Sequence, residues 1–259
     1  MSEFKLICAN LLAEKPYSKF TSNHGGQRLY LTPEVRKDLF VHAFETHEAD
    51  IYFLQEVDEN WKSVLSDILL PKGYTFLVAA CWSSSMAIAF RTERFRDPLI
   101  ELVHPDAGIQ AVSLLESNRR LKLVNIHARW GNAADFIREY YNAFRFQGPL
   151  LVGGDFNLDK PLEKPTDNMN KEFFTDIMHI CKLDELTSEL QVTAKHVKDA
   201  SRFEKLDLIL GKDVQRKSIE LIPADPNCLI PHTTDPLFDA NHAGNHFSDH
   251  GMLLCNVSY

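Results

Sequence analysis

The residues in this chain that could do chemistry stand where short apolar runs stop. Asn10 follows Leu6-Ile7-Cys8, Glu56 follows Ile51-Tyr52-Phe53-Leu54, and His127 follows Leu123-Val124-Asn125-Ile126. Asp155 and Asn157 follow Leu150-Leu151-Val152, and Asp249-His250 precedes Met252-Leu253-Leu254. Short buried runs of this kind read as central strands, and a site built from several strand ends can gather carboxylate, amide and imidazole around one ion and one phosphate. The chemistry that suits such a set is phosphate-ester hydrolysis.

The individual clusters divide the labour. In Gly153-Gly154-Asp155-Phe156-Asn157 the glycines allow a sharp turn, after which Asp155 and Asn157 can share one side of an extended chain while Phe156 enters the core. Asp155 can take a proton from water and Asn157 can offer an amide donor to phosphate; a strand-ending Asx turn would use the same residues. Glu56 is a hard oxygen ligand of the kind magnesium prefers, since that ion keeps several waters and needs only one or two protein carboxylates. Asp207, inside Leu206-Asp207-Leu208-Ile209-Leu210, is an acid in an apolar strand and needs a partner, either an imidazole such as His250 or an arginine. His127 could stabilise phosphate or protonate a leaving oxygen, Arg129 could clamp phosphate, and Trp130 offers a ring as groove wall or stacking surface. His242 and His246 have no third ligand at matching spacing, so a zinc site is not expected.

The elements that must position these groups alternate between strand and helix. Strands are expected at 4–9, 50–55, 74–80, 86–91, 109–115, 121–127, 149–153, 206–210, 217–222 and 252–258. Thr32-Pro33-Glu34 supplies an N-cap, a proline at the first helical position and an acidic first turn, so a helix should run from there to about His47. Further helices are expected at 60–70, 133–146 and 170–182, and a loop over the proline-punctuated stretch from Ile222 to Asn245. Hairpin-like strands mixed with strand–helix alternation predict two mixed sheets packed face to face with helices outside.

Composition sets wider bounds. At 259 residues, with no linker, like-charge block or repeat, the chain reads as one domain spanning 1–259, because the polar clusters need both ends. Met1-Ser2-Glu3-Phe4-Lys5 lacks the basic and long apolar regions of a secretory signal, and no apolar run is long enough to span a bilayer; a cytoplasmic protein without stable membrane insertion is expected. The five cysteines are scattered through apolar runs, which suits reduced core thiols. A net charge of −8 disfavours a tight, processive duplex binder but is compatible with a carboxylate-rich metal site.

Taken in order, Asn10, Leu54-Gln55-Glu56-Val57, Asn125-Ile126-His127, Gly154-Asp155-Phe156-Asn157, Leu206-Asp207 and Ser248-Asp249-His250 resemble the motif set of the endonuclease/exonuclease/phosphatase superfamily, the DNase-I-like fold. The resemblance covers essentially the whole chain. It implies a four-layered α/β sandwich and a hydrolase that uses Mg2+, with Mn2+ as a substitute. Carried over, it makes Glu56 the principal metal ligand with Asn10 beside it and Asp249 supporting metal or water. Asp155 would align or deprotonate the attacking water, Asn157 would hold phosphate, and Asp207 would orient His250. The chain departs from the inositol-polyphosphate phosphatases around Asp155 and Asp207, and from the apurinic-repair branch in having His127 where that branch has Tyr. Asn10-Leu11-Leu12-Ala13 is similar to deadenylases and His127-Ala128-Arg129-Trp130-Gly131 to DNase-like members. The expectation is a phosphodiesterase acting on nucleic acid or a nucleotide; a lipid-directed phosphoesterase, sphingomyelinase-like or a phosphoinositide hydrolase, is the alternative.

Overall fold

Strand β1 (Glu3–Asn10) runs through the middle of a six-stranded sheet and alternates its side chains between two buried faces, Phe4, Leu6 and Cys8 on one, Ile7 and Ala9 on the other. It pairs antiparallel with β14 (Met252–Ser258) and parallel with β2 (Ile51–Gln55). A parallel pair requires a crossover, and α1 (Pro33–Thr46) lies within it. β3 (Tyr74–Ala80), β4 (Ser85–Arg91) and β13 (Gln215–Ile222) complete the order β13-β14-β1-β2-β4-β3. The computed structural model describes residues 2–13, 33–82, 84–129, 136–157, 168–190, 194–195, 203–204, 206–222 and 250–259.

The second six-stranded sheet comprises β5 (Arg96–His104), β6 (Ile109–Glu116), β7 (Arg119–His127), β8 (Leu150–Asp155), β9 (Asp184–Glu185) and β12 (Asp207–Lys212) in the order β5-β6-β7-β8-β12-β9. β7 and β8 are parallel, with α3 (Ile137–Phe144) between them in sequence. β10 (Ala194–Lys195) and β11 (Phe203–Glu204) form a separate pair.

One apolar cluster fills the space between the sheets, with Leu6, Phe53 and Ile88 facing Val112, Leu123, Leu151 and Ile209. A second packs Ile7, Tyr52 and Ala87 under Phe40 and Phe44 of α1 and Trp61 and Leu65 of α2 (Glu59–Leu69). A third packs Val124, Val152 and Leu210 under Tyr140 and Phe144 of α3 and Phe174 of α4 (Asn168–Cys181). The result is the expected four-layered sandwich, helix on sheet on sheet on helix. Strands buried on both faces read in sequence as continuous apolar runs, which is why they were visible there.

Two polar features stitch these layers. Gln55 Nε2 donates to Asn125 Oδ1 (2.6 Å) across the inter-sheet core, and Asn125 Nδ2 donates to the carbonyls of Leu54 (3.0 Å) and Ala87 (2.9 Å). At the opposite end, the buried Glu116 carboxylate accepts from Ser2 Oγ (2.6 Å), Arg94 Nε (2.6 Å) and Tyr259 Oη, tying both chain ends to β6.

The structure departs from expectation in places. β5 was not anticipated: Pro98, a positive φ at Asp97 and two register irregularities break its pattern, and as an edge strand it leaves Leu99, Ile100 and Val103 exposed. Of the helix expected over 133–146, residues 133–135 lie outside the described residues, and Ile137–Phe144 is helical until Arg145 turns extended (φ −75°, ψ 105°). Thr32, the expected cap of α1, and the loop at 223–245 lie outside the described residues. α2 has a clear cap, Asp58, whose Oδ1 accepts from Trp61 N–H (2.9 Å).

Candidate active site

Strand direction and register bring the polar clusters to one edge of the sandwich. Asn10 and Gln55 are register partners at the C-terminal ends of parallel β1 and β2, and Glu56 follows directly. His127 and Asp155 are partners at the C-terminal ends of parallel β7 and β8. Asp207, at the start of antiparallel β12, stands opposite Asp155, and His250 lies two residues before the first residue of the last strand. Site residues drawn from opposite ends of the chain thus meet where four strands stop and two begin.

Asp155 Oδ2 is the hub of the cluster. Asn10 Nδ2 donates to it at 3.1 Å, and His127 Nε2 and His250 Nε2 each approach it to 3.9 Å. Asn10 Nδ2 also donates to Glu56 Oε1 (3.2 Å), which lies 3.7 Å from His127 Nε2. His250 Nδ1 donates to Asp207 Oδ2 at 2.7 Å; a carboxylate only accepts, so the proton sits on Nδ1 and the ring turns Nε2 towards Asp155. The arginine alternative for Asp207 is therefore not the one adopted at Oδ2. Burial pushes the Cys8 thiol well up from its ordinary range, with the charges of Asp207 and Asp155 adding to it against a hydrogen bond from Gln55, so Cys8 stays a neutral thiol under the site.

The backbone is bent to present these groups. Leu12, Glu56 and Asn157 all have positive φ (51°, 54° and 52°), a region that costs a non-glycine residue about 1–2 kcal/mol. After Asp155 the chain does not remain extended as expected: Asn157 N–H donates to Asp155 Oδ1 (3.0 Å), which is the Asx turn, and Phe156 goes into the core. Gly154 (φ 146°) admits no side chain, since a Cβ would lie 1.9 Å from the Ile126 carbonyl oxygen. At Gly153 a Cβ would meet the Phe53 ring at 2.5 Å, so the glycine pair lets β7 and β2 close on β8 beside Asp155.

Among the residues singled out in the sequence, Asn10, Glu56, His127, Asp155, Asp207 and His250 form one connected cluster. Asn157 adjoins it through its turn; its Nδ2 donates to Ala128 O (2.9 Å) and its Oδ1 is buried with no donor among the described residues. Arg129 is exposed just beyond His127, while Trp130 and Asp249 lie outside the described residues. Three supporting residues were missed. Arg36 of α1 is buried and donates to the carbonyls of Leu11 (2.9 Å) and Leu12 (2.5 Å), holding the loop whose Ala13 N–H donates to Glu56 Oε2 (3.1 Å). Cys81 Sγ lies 3.7 Å from His127 Nδ1, and the Trp82 ring packs on the His127 imidazole at 4.9 Å. Arg36 gave no signal, but an aromatic in Cys81-Trp82-Ser83-Ser84-Ser85, between two apolar strands, is exposed by default and could have been flagged.

The family model described as Endonuclease/Exonuclease/phosphatase family matches residues 20–250. The chain belongs to the endonuclease/exonuclease/phosphatase family. Members of this family are hydrolases of phosphoester bonds. Among solved structures, a D. rerio TDP2 humanized by 14 mutations is 14% identical with a TM-score of 0.66, each chain covered fully (100%). D. rerio TDP2 complexed with a single-strand DNA product is 13% identical with a TM-score of 0.63, again over 100% of each chain. A family protein from Leptotrichia buccalis C-1013-b is 14% identical with a TM-score of 0.63, over 98% of this chain and 99% of that one. No curated protein sequence matches. At these identities the structural likeness speaks for the fold, which is the DNase-I-like sandwich. No helix among the described residues is long and apolar enough to cross a membrane.

A divalent cation is what the family implies, and the donor chemistry is compatible with one. Glu56 Oε1 and Asp155 Oδ2 both accept from Asn10 Nδ2 (3.2 and 3.1 Å), which brings two carboxylates together, and Glu56 is the more open, its side chain 15% exposed against 4% for Asp155. Hard oxygens with an excess of negative charge suit magnesium, which retains waters and does not need a full protein cage. Among the described residues no three His, Cys, Asp or Glu side chains form a ready ligand set. Asn10 presents its amide nitrogen to the carboxylates because its Oδ1 accepts from Leu12 N–H (2.9 Å). In this arrangement it spaces Glu56 from Asp155 as a donor, and ligation beside those carboxylates through Oδ1 would require the amide to turn. The unpaired Asn157 Oδ1 is the kind of acceptor that a cation, or water bound to one, satisfies.

Proposed function

We propose that this protein is a magnesium-dependent phosphodiesterase that hydrolyses a nucleic-acid or nucleotide phosphodiester by in-line attack of water, with manganese as a substitute. The observation that carries the reading is the convergence on Asp155 Oδ2 of an amide and two imidazoles from strands far apart in sequence. Asp155 accepts the proton of the attacking water, and Asn10 and Asn157 fix the orientation of its two oxygens. His250, held by Asp207, aims Nε2 at a phosphate oxygen, and His127 does the same from the other side next to Glu56. A bound magnesium, with Glu56 as chief ligand and Asp249 in support, would neutralise charge developing on the phosphate. Arg129 supplies a further positive charge for the backbone, and Trp130 a candidate stacking ring.

A nucleic-acid substrate is supported by D. rerio TDP2 having been captured with a single-strand DNA product on the same fold. A cytoplasmic setting agrees with Cys8, Cys81, Cys181 and Cys255 being unbridged. The test is one screen, with magnesium, against RNA, single- and double-stranded DNA, cyclic dinucleotides and phospholipid headgroups. Hydrolysis confined to the phospholipids would replace this reading with the lipid-directed alternative.

A further inference from the structure

Trp82 is 40% exposed on the turn between β3 and β4, a large aromatic ring at the mouth of the site. Its position is fixed on several sides. Cys81 N–H donates to Ser84 O (3.0 Å), closing the turn, and reciprocal bonds between Val57 and Ser85 (2.8 and 3.1 Å) sew the hairpin to the residue after Glu56. The indole Nε1–H donates to the His127 carbonyl (3.0 Å), and the ring packs on the imidazole with planes at 41°. The one polar atom of the side chain is thus engaged inward, leaving outward only apolar π surface. Such a surface takes flat rings and is indifferent to their hydrogen-bonding pattern.

We infer that Trp82 is a stacking platform for an unpaired nucleobase adjoining the scissile phosphate, so that the substrate is single-stranded at that position. The inference rests on the phosphodiesterase reading above and names the part of the substrate that it leaves open. Trp82 touches His127, whose Nε2 lies 3.7 Å from Glu56 Oε1, so a base on the indole is next to the groups that handle phosphate. Arg129, exposed beyond the same histidine, is placed for the adjoining backbone charge. A base inside a duplex has both faces covered by its neighbours, whereas an unpaired or terminal base has a face to give.

The test pairs Trp82→Ala and Trp82→Phe with short single-stranded oligonucleotides that carry one abasic residue, moved position by position past the cleaved bond. Trp82→Ala should raise KM about 10- to 100-fold on the intact strand with kcat little changed. Trp82→Phe should recover most of the loss. At one position the abasic residue should cost the native enzyme the same factor and cost Trp82→Ala nothing further, the signature of a shared contact. A fall in kcat at unchanged KM, with abasic effects that simply add, would mean that Trp82 only props His127 and would overturn the inference. Undiminished cleavage by Trp82→Ala would overturn it while leaving the phosphodiesterase reading intact. A native enzyme that cleaves no oligonucleotide but hydrolyses phospholipid in vesicles, with vesicle binding lost in Trp82→Ala, would overturn both.

Discussion

His250 Nδ1 and Asp207 Oδ2 lie 2.7 Å apart across 43 residues of chain, both side chains buried. The pair fixes which ring nitrogen carries the proton and turns the other towards Asp155. On the proposed reading, Asp207 acts through the imidazole rather than on substrate. His250→Ala should lower kcat by about 10²–10⁴-fold, and Asp207→Asn, which keeps the shape but not the charge, by less, with KM nearly unchanged in both. Steady-state kinetics on folded variants decide it; an Asp207→Asn enzyme with native kcat would remove the orienting role.

The Gln55–Asn125 bridge sits one residue below Glu56 and joins the two sheets. Removing it with Asn125→Ala leaves Gln55 Nε2 and the carbonyls of Leu54 and Ala87 without that partner in a dry core. Each orphaned polar group costs about 1–3 kcal/mol, so urea unfolding should show a loss of several kcal/mol. A loss below about 1 kcal/mol would mean that water or repacking replaces the bridge.

Gly154→Ala should be among the most damaging small substitutions. The added methyl would sit 1.9 Å from the Ile126 carbonyl oxygen, at a φ that disfavours a side chain, and relief requires β7 and β8 to part where His127 faces Asp155. Thermal unfolding should fall by more than about 2 kcal/mol and activity should fall with it. Ala at Gly73, whose Cβ would meet nothing within 4 Å although its φ is also positive, is the control for backbone strain alone.

Acid should loosen the edge far from the site. Burial raises the Glu116 carboxyl, but hydrogen bonds from Ser2, Tyr259 and Arg94 outweigh it and hold its pKa below the ordinary glutamate value. Glu101 is lowered in the same way, burial being outweighed by Ser113 and Lys122. A carboxyl lowered in the folded state stabilises above its unfolded pKa, about 4.3, and loses that contribution as pH falls from there through the folded value. Stability measured from pH 6 down to pH 2 should therefore drop in that window, and Glu116→Gln should flatten the drop while lowering stability at neutral pH. An unchanged acid limb in Glu116→Gln would show that the Ser2–Arg94–Tyr259 cluster is not what the proton disrupts.

What the sequence revealed and what it concealed follow from the same physics. Asn10, Glu56, His127 and Asp155 were legible because each interrupts an apolar run that is buried on both faces, so a polar residue there is anomalous. Met252–Ser258 emerged with the expected bounds for that reason. β5 concealed itself because an exposed edge strand carries no such pattern and Pro98 argues against it. The direction of the Asn10 amide depends on Leu12 N–H, and the seating of Trp82 on His127 depends on a turn meeting a strand end from the other sheet. Both are tertiary relations with no local signature.

The central claim is that Asp155, held by Asn10 and Asn157, activates water for attack on a metal-bound phosphodiester. The most direct measurement is the initial rate of oligonucleotide hydrolysis by the native protein and by Asp155→Asn, each with magnesium and with excess chelator, alongside their thermal unfolding. The account predicts magnesium-dependent cleavage by the native protein that the chelator abolishes. It also predicts a kcat at least about 10²-fold lower for a folded Asp155→Asn, in which Asn can still accept from Asn157 N–H but no longer from Asn10 Nδ2. Native-like turnover by a folded Asp155→Asn, or cleavage undiminished by chelation, would contradict it.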